Sequence, residues 1–241
     1  MLLTFLKQLL DPRPQQPTEA DAHAGQTDSA MIETPEEAVG LDYCKHWIAS
    51  GGNLHRFDHI KNFDYYENIP GWFDFQDVYN FAVSESHDGA TFVEVGCFLG
   101  RSTAFLGSRI ALAGKKITVY GVDPWLGWSG NRPTSTFADF LGNMVQAGLI
   151  DIIVPLRMMS AQAGRLFDDQ SVDFCFIDGD HTYEAVSEDV RTWFPKIRNG
   201  GIIGGHDYVN PLHPGVKQAV DEFFKDAVTV SGKSWHIRKT A

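Results

Sequence analysis

Between Ala90 and Gly205, short apolar runs alternate with amphipathic stretches, and no other feature of the chain narrows its fold as far. Ala90–Val95, Lys116–Val122, Asp151–Leu156, Val172–Ile177 and Gly201–Gly205 read as strands. Arg101–Ala113, Thr134–Ala147, Ala161–Phe167 and Tyr183–Arg198 read as helices between them, the last stopped by Asn199-Gly200-Gly201. After a further helix at Pro214–Phe224, Val228–Val230 and Trp235–Arg238 flank Ser231-Gly232-Lys233-Ser234 as a β-hairpin. Strands joined through helices run parallel, with helices on both faces of the sheet. The expected fold is α/β: a Rossmann-like three-layer sandwich with a mainly parallel seven-stranded sheet ending in an antiparallel hairpin. Such sheets bind ligands at the carboxyl ends of their strands, so the residues after each strand should carry the chemistry.

Three regions are expected. In residues 1–40, Leu2, Phe5, Leu6, Leu9 and Leu10 suggest a short docking helix, or a weak anchor for a membrane or partner. The stretch from Asp11 to Glu37 holds Pro12, Pro14, Pro17 and Pro35 and almost no large apolar side chains, so it reads as a disordered linker. Residues 41–89 crowd Trp47, Phe57, Phe63, Tyr65, Tyr66, Trp72, Phe73, Phe75, Tyr79 and Phe81 into an aromatic-rich helical cap, with Phe75–Val83 as its clearest helix. The cap packs on the sheet or closes over a substrate. Residues 90–241 form the main domain.

Composition excludes several classes. With 31 acidic against 20 basic residues, the net charge of -11 repels phosphate backbones, so no nucleic acid partner is expected. No apolar run approaches the ~20 residues of a membrane helix, and the N-terminus lacks the basic region and cleavage site of a signal peptide. Neither stable membrane insertion nor export is expected, and the localisation read is cytoplasmic. Cys44, Cys97 and Cys175 are odd in number and lack metal-ligand spacing, which fits a reducing compartment.

After the first strand, Glu94-Val95-Gly96-Cys97-Phe98-Leu99-Gly100-Arg101-Ser102 places two glycines where the backbone must turn tightly and approach a ligand. The following helix offers free N–H groups to an anionic group. Phe98 stands where the dinucleotide fingerprint G-x-G-x-x-G needs its second glycine, which argues against a pyrophosphate on this loop. After the second strand, Asp123 is placed to accept hydrogen bonds from both ribose hydroxyls, and Trp125 to stack on a base or wall the pocket. Ser160, after the third, is a helix N-cap or lies near an adenine ring. The fourth strand ends in Asp178-Gly179-Asp180-His181 and the fifth in His206-Asp207. Side by side, these groups can hold a divalent cation or deprotonate a hydroxyl.

Several segments in this order resemble the class I S-adenosylmethionine-dependent methyltransferases of the methyltransferase-24 group, related to sugar and antibiotic O-methyltransferases. They are Phe92-Val93-Glu94-Val95-Gly96 with Gly100-Arg101-Ser102-Thr103, Gly121-Val122-Asp123-Pro124-Trp125, Phe176-Ile177-Asp178-Gly179-Asp180-His181-Thr182-Tyr183, and Gly200 through Tyr208. Pro214-Gly215-Val216-Lys217-Gln218-Ala219-Val220-Asp221 is also similar to a family segment. The resemblance implies S-adenosylmethionine as cofactor and methyl transfer to a small-molecule or sugar hydroxyl. It implies a donor site of Glu94, Gly96, Gly100, Ser102, Asp123, Trp125, Ser160 and Asp178. In metal-dependent relatives magnesium sits at positions corresponding to Asp178, His206 and Asp207. His206 departs from that pattern, because imidazole is a poor magnesium ligand; a softer divalent cation or a metal-free His/Asp base fits the departure. Asp178, His181 and His206 are the candidates for the proton transfer.

Three other readings of the same residues compete. His181, His206 and Asp178 could form the facial triad of a metal-dependent oxygenase. A nicotinamide-dependent oxidoreductase uses a similar sheet but lacks its glycine fingerprint here. A non-catalytic scaffold could retain the fold. The sequence leaves the methyl acceptor open, and a homo-oligomer is compatible with it.

Overall fold

The computed structural model describes residues 59–126 and 136–240. The helix and linker expected in residues 1–40, the first part of the 41–89 cap and the start of the helix expected from Thr134 lie outside the described residues.

Helix α1 (Gln76–Glu85) precedes strand β1 (Thr91–Val95). The chain then alternates through α2 (Arg101–Leu112), β2 (Thr118–Val122), α3 (Thr136–Ala147) and β3 (Ile153–Leu156). Next come the short α4 (Ser160–Ala163), β4 (Val172–Ile177), α5 (Tyr183–Trp193) and β5 (Ile197–Gly205). Helix α6 (Pro214–Phe224) and the hairpin β6 (Thr229–Ser231) and β7 (Ser234–Arg238) end the fold. The seven strands form one sheet in the order β3-β2-β1-β4-β5-β7-β6. All pairs from β3 to β5 are parallel, while β7 runs antiparallel to both β5 and β6. Strand order reverses between β1 and β4, which puts the ligand crevice of this sheet type at their carboxyl ends.

Alternation along the buried strands sorts side chains between two layers. Phe92, Phe174 and Phe176 face α1, α2 and α3, in a core with Tyr79, Leu106, Phe140 and Met144. Val93, Val95, Cys175 and Ile177 face the other way, toward Val190 and Trp193 of α5 and Val220 of α6. Glu94 shares its face with Phe92, so the pleat itself sends this carboxylate into the apolar layer.

The end of α5 and the start of β5 depart furthest from the sequence expectation. The helix expected to run from Tyr183 to Arg198 ends at Trp193, followed by a 3-10 turn at Phe194–Lys196. Pro195 has no N–H to continue the helical ladder. Strand β5 accordingly starts at Ile197 rather than Gly201, and Asn199-Gly200-Gly201 lies inside it. The pairing with β4 shifts register there. Gly200 has φ 79, and its N–H donates to the Lys239 carbonyl at 2.8 Å. The expected stop signal is therefore an irregularity within the strand.

Several rings of the aromatic segment before β1 pack against one another and the sheet, while Trp72 is exposed. Phe73 meets Phe75 at 4.8 Å and Phe105 at 4.9 Å between ring centroids, and Phe75 stacks on Phe176 at 4.6 Å. Tyr66 meets Phe105 edge-on at 5.1 Å. These rings pack on the core beside α2, and Phe75 also lies 5.0 Å from the His206 ring.

Candidate active site

The loop after β1 is built on left-handed backbone. Gly96 and Gly100 have φ 88 and 89, and Phe98 between them has φ 49. At Gly96 a Cβ would lie 2.1 Å from the backbone oxygen of Asp178. The Asp178 N–H donates to the Val95 carbonyl at 2.8 Å. The ends of β1 and β4 are thus locked together at the switch point, and only glycine fits between them.

Glu94 is fully buried. Its Oε1 accepts from the Tyr79 hydroxyl at 2.8 Å and the Ser102 hydroxyl at 2.5 Å, while Oε2 has no hydrogen-bond partner. Burial pushes the carboxyl up to about 7; Ser102 and Tyr79 pull it down, and Thr103 does so too without reaching hydrogen-bonding geometry. A buried acceptor without a partner is rare in folded proteins, and the Thr103 hydroxyl, itself unpartnered, is near it.

Asp123 takes on a task that sequence reasoning missed. Its Oδ2 accepts from the backbone N–H groups of Cys97 at 3.0 Å and Phe98 at 2.9 Å, and Oδ1 accepts from the Trp125 N–H at 2.6 Å. Burial raises its pKa against these three bonds. A carboxylate offers about four acceptor positions, so one is left, not the two needed for both ribose hydroxyls. Trp125 is buried against Phe137 and Phe140 and donates its indole N–H to the Phe98 carbonyl at 2.8 Å. It braces the loop rather than offering a free face to a base. Ser160 is the first residue of α4, one place inside the N-cap position expected for it, and accepts from the Trp193 indole at 2.9 Å.

The ends of β4 and β5 bring together Asp178, His181, His206 and Asp207. His181 Nε2 lies 2.9 Å from Asp207 Oδ2 and 3.5 Å from Asp178 Oδ1. His206 Nδ1 lies 3.5 Å from Asp207 Oδ2 and 3.7 Å from Asp178 Oδ1. Asp178, foremost, then Asp207 and Asp180 hold the His181 pKa up against burial, although its Nε2 meets no carboxylate at a hydrogen-bonding angle. The His181 ring stacks on His213 at 4.2 Å. Asp207 adopts φ 59, the left-handed region that aspartate enters more readily than most non-glycine residues. Asp180, grouped with these residues in sequence, turns instead to its own backbone, where Oδ1 accepts the Thr182 N–H at 2.8 Å.

Asp74 was not foreseen. It lies in the aromatic segment, and its Oδ1 accepts from His206 Nε2 at 2.6 Å while Oδ2 accepts from the Lys233 ammonium at 3.0 Å. Burial works to raise its pKa, but the hydrogen bonds from Lys233 and His206 bring it below the usual value. The signal was a lone carboxylate within Trp72-Phe73-Asp74-Phe75.

This donor set does not fit the magnesium that the resemblance implies at Asp178, His206 and Asp207. Magnesium demands near-octahedral oxygen coordination, whereas one of the three implied donors, His206 Nδ1, is an imidazole nitrogen, set 3.7 and 3.5 Å from the carboxylate oxygens of Asp178 and Asp207.

Residues 93–208 match the family model described as a methyltransferase domain. No curated protein matches the sequence. Among solved structures, the O-methyltransferase NovP is similar at 19% identity, over 69% of this chain and 79% of that one, with a TM-score of 0.55. CalS11, a calicheamicin methyltransferase also described as a TDP-rhamnose 3'-O-methyltransferase, is similar at 14% identity, over 91% of this chain and 99% of that one, with a TM-score of 0.52. An O-methyltransferase from Thermotoga maritima described as SAM-dependent follows at 12% identity, over 71% of this chain and 68% of that one, with a TM-score of 0.52. At such identities the likeness establishes the fold. Among the described residues, no helix is long and apolar enough to cross a membrane.

Proposed function

We propose, from the premise that residues 93–208 are a methyltransferase domain of the matched family, that this protein is an S-adenosylmethionine-dependent O-methyltransferase acting on a small-molecule hydroxyl. The observation that carries the reading is the junction of β1 and β4. The Gly96 loop lies against the Asp178 backbone, so a donor seated on that loop sits beside the histidine–aspartate cluster.

S-adenosylmethionine, when bound, supplies a methyl group on a sulfonium centre. The chain's residues must bind it, orient the acceptor and receive a proton. Glu94 Oε2, buried and without a partner, is the acceptor left for the donor's amino group. Asp123 keeps one acceptor position for a ribose hydroxyl. Asp178, His181 and His206 stand where an acceptor hydroxyl would lose its proton. NovP and CalS11 are described as O-methyltransferases, which supports a hydroxyl acceptor.

Calorimetric titration of the full chain with S-adenosylhomocysteine tests the donor site, and a labelled-methyl assay against sugar nucleotides and phenols tests the acceptor class. Saturable one-to-one binding is expected. No binding, or methyl transfer to none of these hydroxyls, would sink the proposal.

A further inference from the structure

We infer that Trp72 is the specificity-determining platform of the acceptor subsite, where its indole takes the flat face of a ring belonging to the hydroxyl-bearing substrate. The inference rests on the proposed reading for that ring's role as methyl acceptor, not for its binding at Trp72.

Exposure sets Trp72 apart. The other tryptophans among the described residues, Trp125, Trp193 and Trp235, are buried, whereas Trp72 is 75% exposed. An indole kept in water forgoes one of the largest gains that burial offers a side chain. Its backbone is nevertheless held on both sides. The Gly71 carbonyl accepts from Arg101 Nη1 at 3.1 Å, and the Phe73 ring lies 4.9 Å from Phe105 and 4.8 Å from Phe75. A tryptophan presented from a fixed backbone offers a ligand large contact area at small cost in conformational entropy.

Position ties Trp72 to the proposed site. Burial alternates along the segment: Trp72 and Asp74 are exposed, Phe73 is half-buried and Phe75 is buried. That is the pattern of an extended chain, whose alternate side chains share one side. Trp72 therefore shares its side with Asp74, whose Oδ1 accepts from His206 Nε2 at 2.6 Å. Two residues of chain span at most about 7 Å, which keeps the indole within reach of His206. At the other end of the segment, Arg101 is the first residue of α2 and follows Gly100 of the loop proposed for the donor. Residues 71–74 thus bridge the donor loop and the histidine–aspartate cluster, and Trp72 is the aromatic exposed on that bridge. An acceptor hydroxyl must lie between the donor's methyl group and the group that receives its proton, which is the span the bridge crosses.

The indole selects by shape. Its face carries the negative side of a quadrupole and attracts the positive C–H groups of a ring laid over or against it. A phenol meets this requirement with its aromatic ring and a pyranose with its C–H face. A linear polyol has hydroxyls but no flat face.

The test follows the Trp72 indole N–H by NMR in the full chain carrying isotope-labelled tryptophan, its resonance identified as the one lost in Trp72→Phe. Phenol, methyl glucopyranoside and glycerol are titrated separately, with and without S-adenosylhomocysteine. A saturable shift with phenol or the pyranoside, and none with glycerol, is expected; the ring that acts distinguishes an aromatic acceptor from a sugar. Trp72→Leu should weaken binding of that ring about 3–10-fold, while Trp72→Phe should retain most of it. Because the side chain is exposed, Trp72→Leu should leave the urea unfolding midpoint in place, a separation that a purely structural role would not give. A resonance that neither ring moves, one that glycerol moves as far, or ring binding unchanged in Trp72→Leu would overturn the inference. Ring binding without methyl transfer would uphold the platform and sink the methyl-transfer reading; methyl transfer with an unmoved Trp72 resonance would do the reverse.

Discussion

Replacing Glu94 by glutamine should stabilise the free protein at neutral and alkaline pH while weakening its hold on the methyl donor. Glu94 is buried without a countercharge, and its carboxyl titrates at about 7 instead of the ordinary 4.5. Between those values the folded protein retains a proton that the unfolded chain has released, so stability falls as pH rises through this window. The contribution is complete below about 4.5 and lost above about 7, a difference of about 3 kcal/mol at ~1.4 kcal/mol per pH unit. Glutamine keeps the oxygen that accepts from Tyr79 and Ser102. Its amide would need an acceptor, and the Thr103 hydroxyl, itself without a hydrogen-bond partner, is near. After that rearrangement, a gain of about 1–3 kcal/mol at about pH 8 is expected, with the pH slope between about 5 and 7 reduced by one proton. Urea unfolding of parent and variant across this range measures both quantities, and calorimetry with S-adenosylhomocysteine measures the donor. An unchanged pH slope, or a variant less stable than the parent at about pH 8, would refute the claim that an ionised Glu94 burdens the fold.

Gly96→Ala combines a left-handed backbone with a Cβ 2.1 Å from the Asp178 oxygen; it should cost more than about 3 kcal/mol in urea unfolding, of which the conformation alone is roughly 1–2 kcal/mol. Asp123→Ala leaves the N–H groups of Cys97, Phe98 and Trp125 without their acceptor. A loss of about 2–4 kcal/mol is expected, together with at least about tenfold weaker donor binding; unchanged affinity would remove Asp123 from the donor site. Cys97 and Cys175 are buried, and burial pushes both thiols well above their usual pKa. Peptide-resolved alkylation should label them only in denaturant.

The strand-end positions were legible in the sequence because the signals that set them are local. Apolar runs closed by turn residues placed Gly96, Asp123, Asp178 and His206 at the carboxyl ends of the first, second, fourth and fifth strands, and the sheet has those four strands side by side. The helix expected through Arg198 failed because Asn199-Gly200-Gly201 reads as a helix stop in isolation. Pro195, two residues after Trp193, was the stronger signal. The aromatic run from Tyr65 to Phe75 announced burial but not its direction, since a period-free stretch gives no face to orient.

What the sequence determined by itself was the order of the layers and the carboxyl-end placement of the candidate site, because periodicity and turn chemistry act over a few residues. Tertiary structure alone decided which atoms meet. It brought Asp74 to His206 across 132 positions of chain. It engaged most of the Asp123 carboxylate in bracing the glycine loop, and it turned Asp180 away from the cluster that Asp178 and His181 join. Those outcomes depend on side-chain directions where separate elements pack, and no pattern within one segment encodes them.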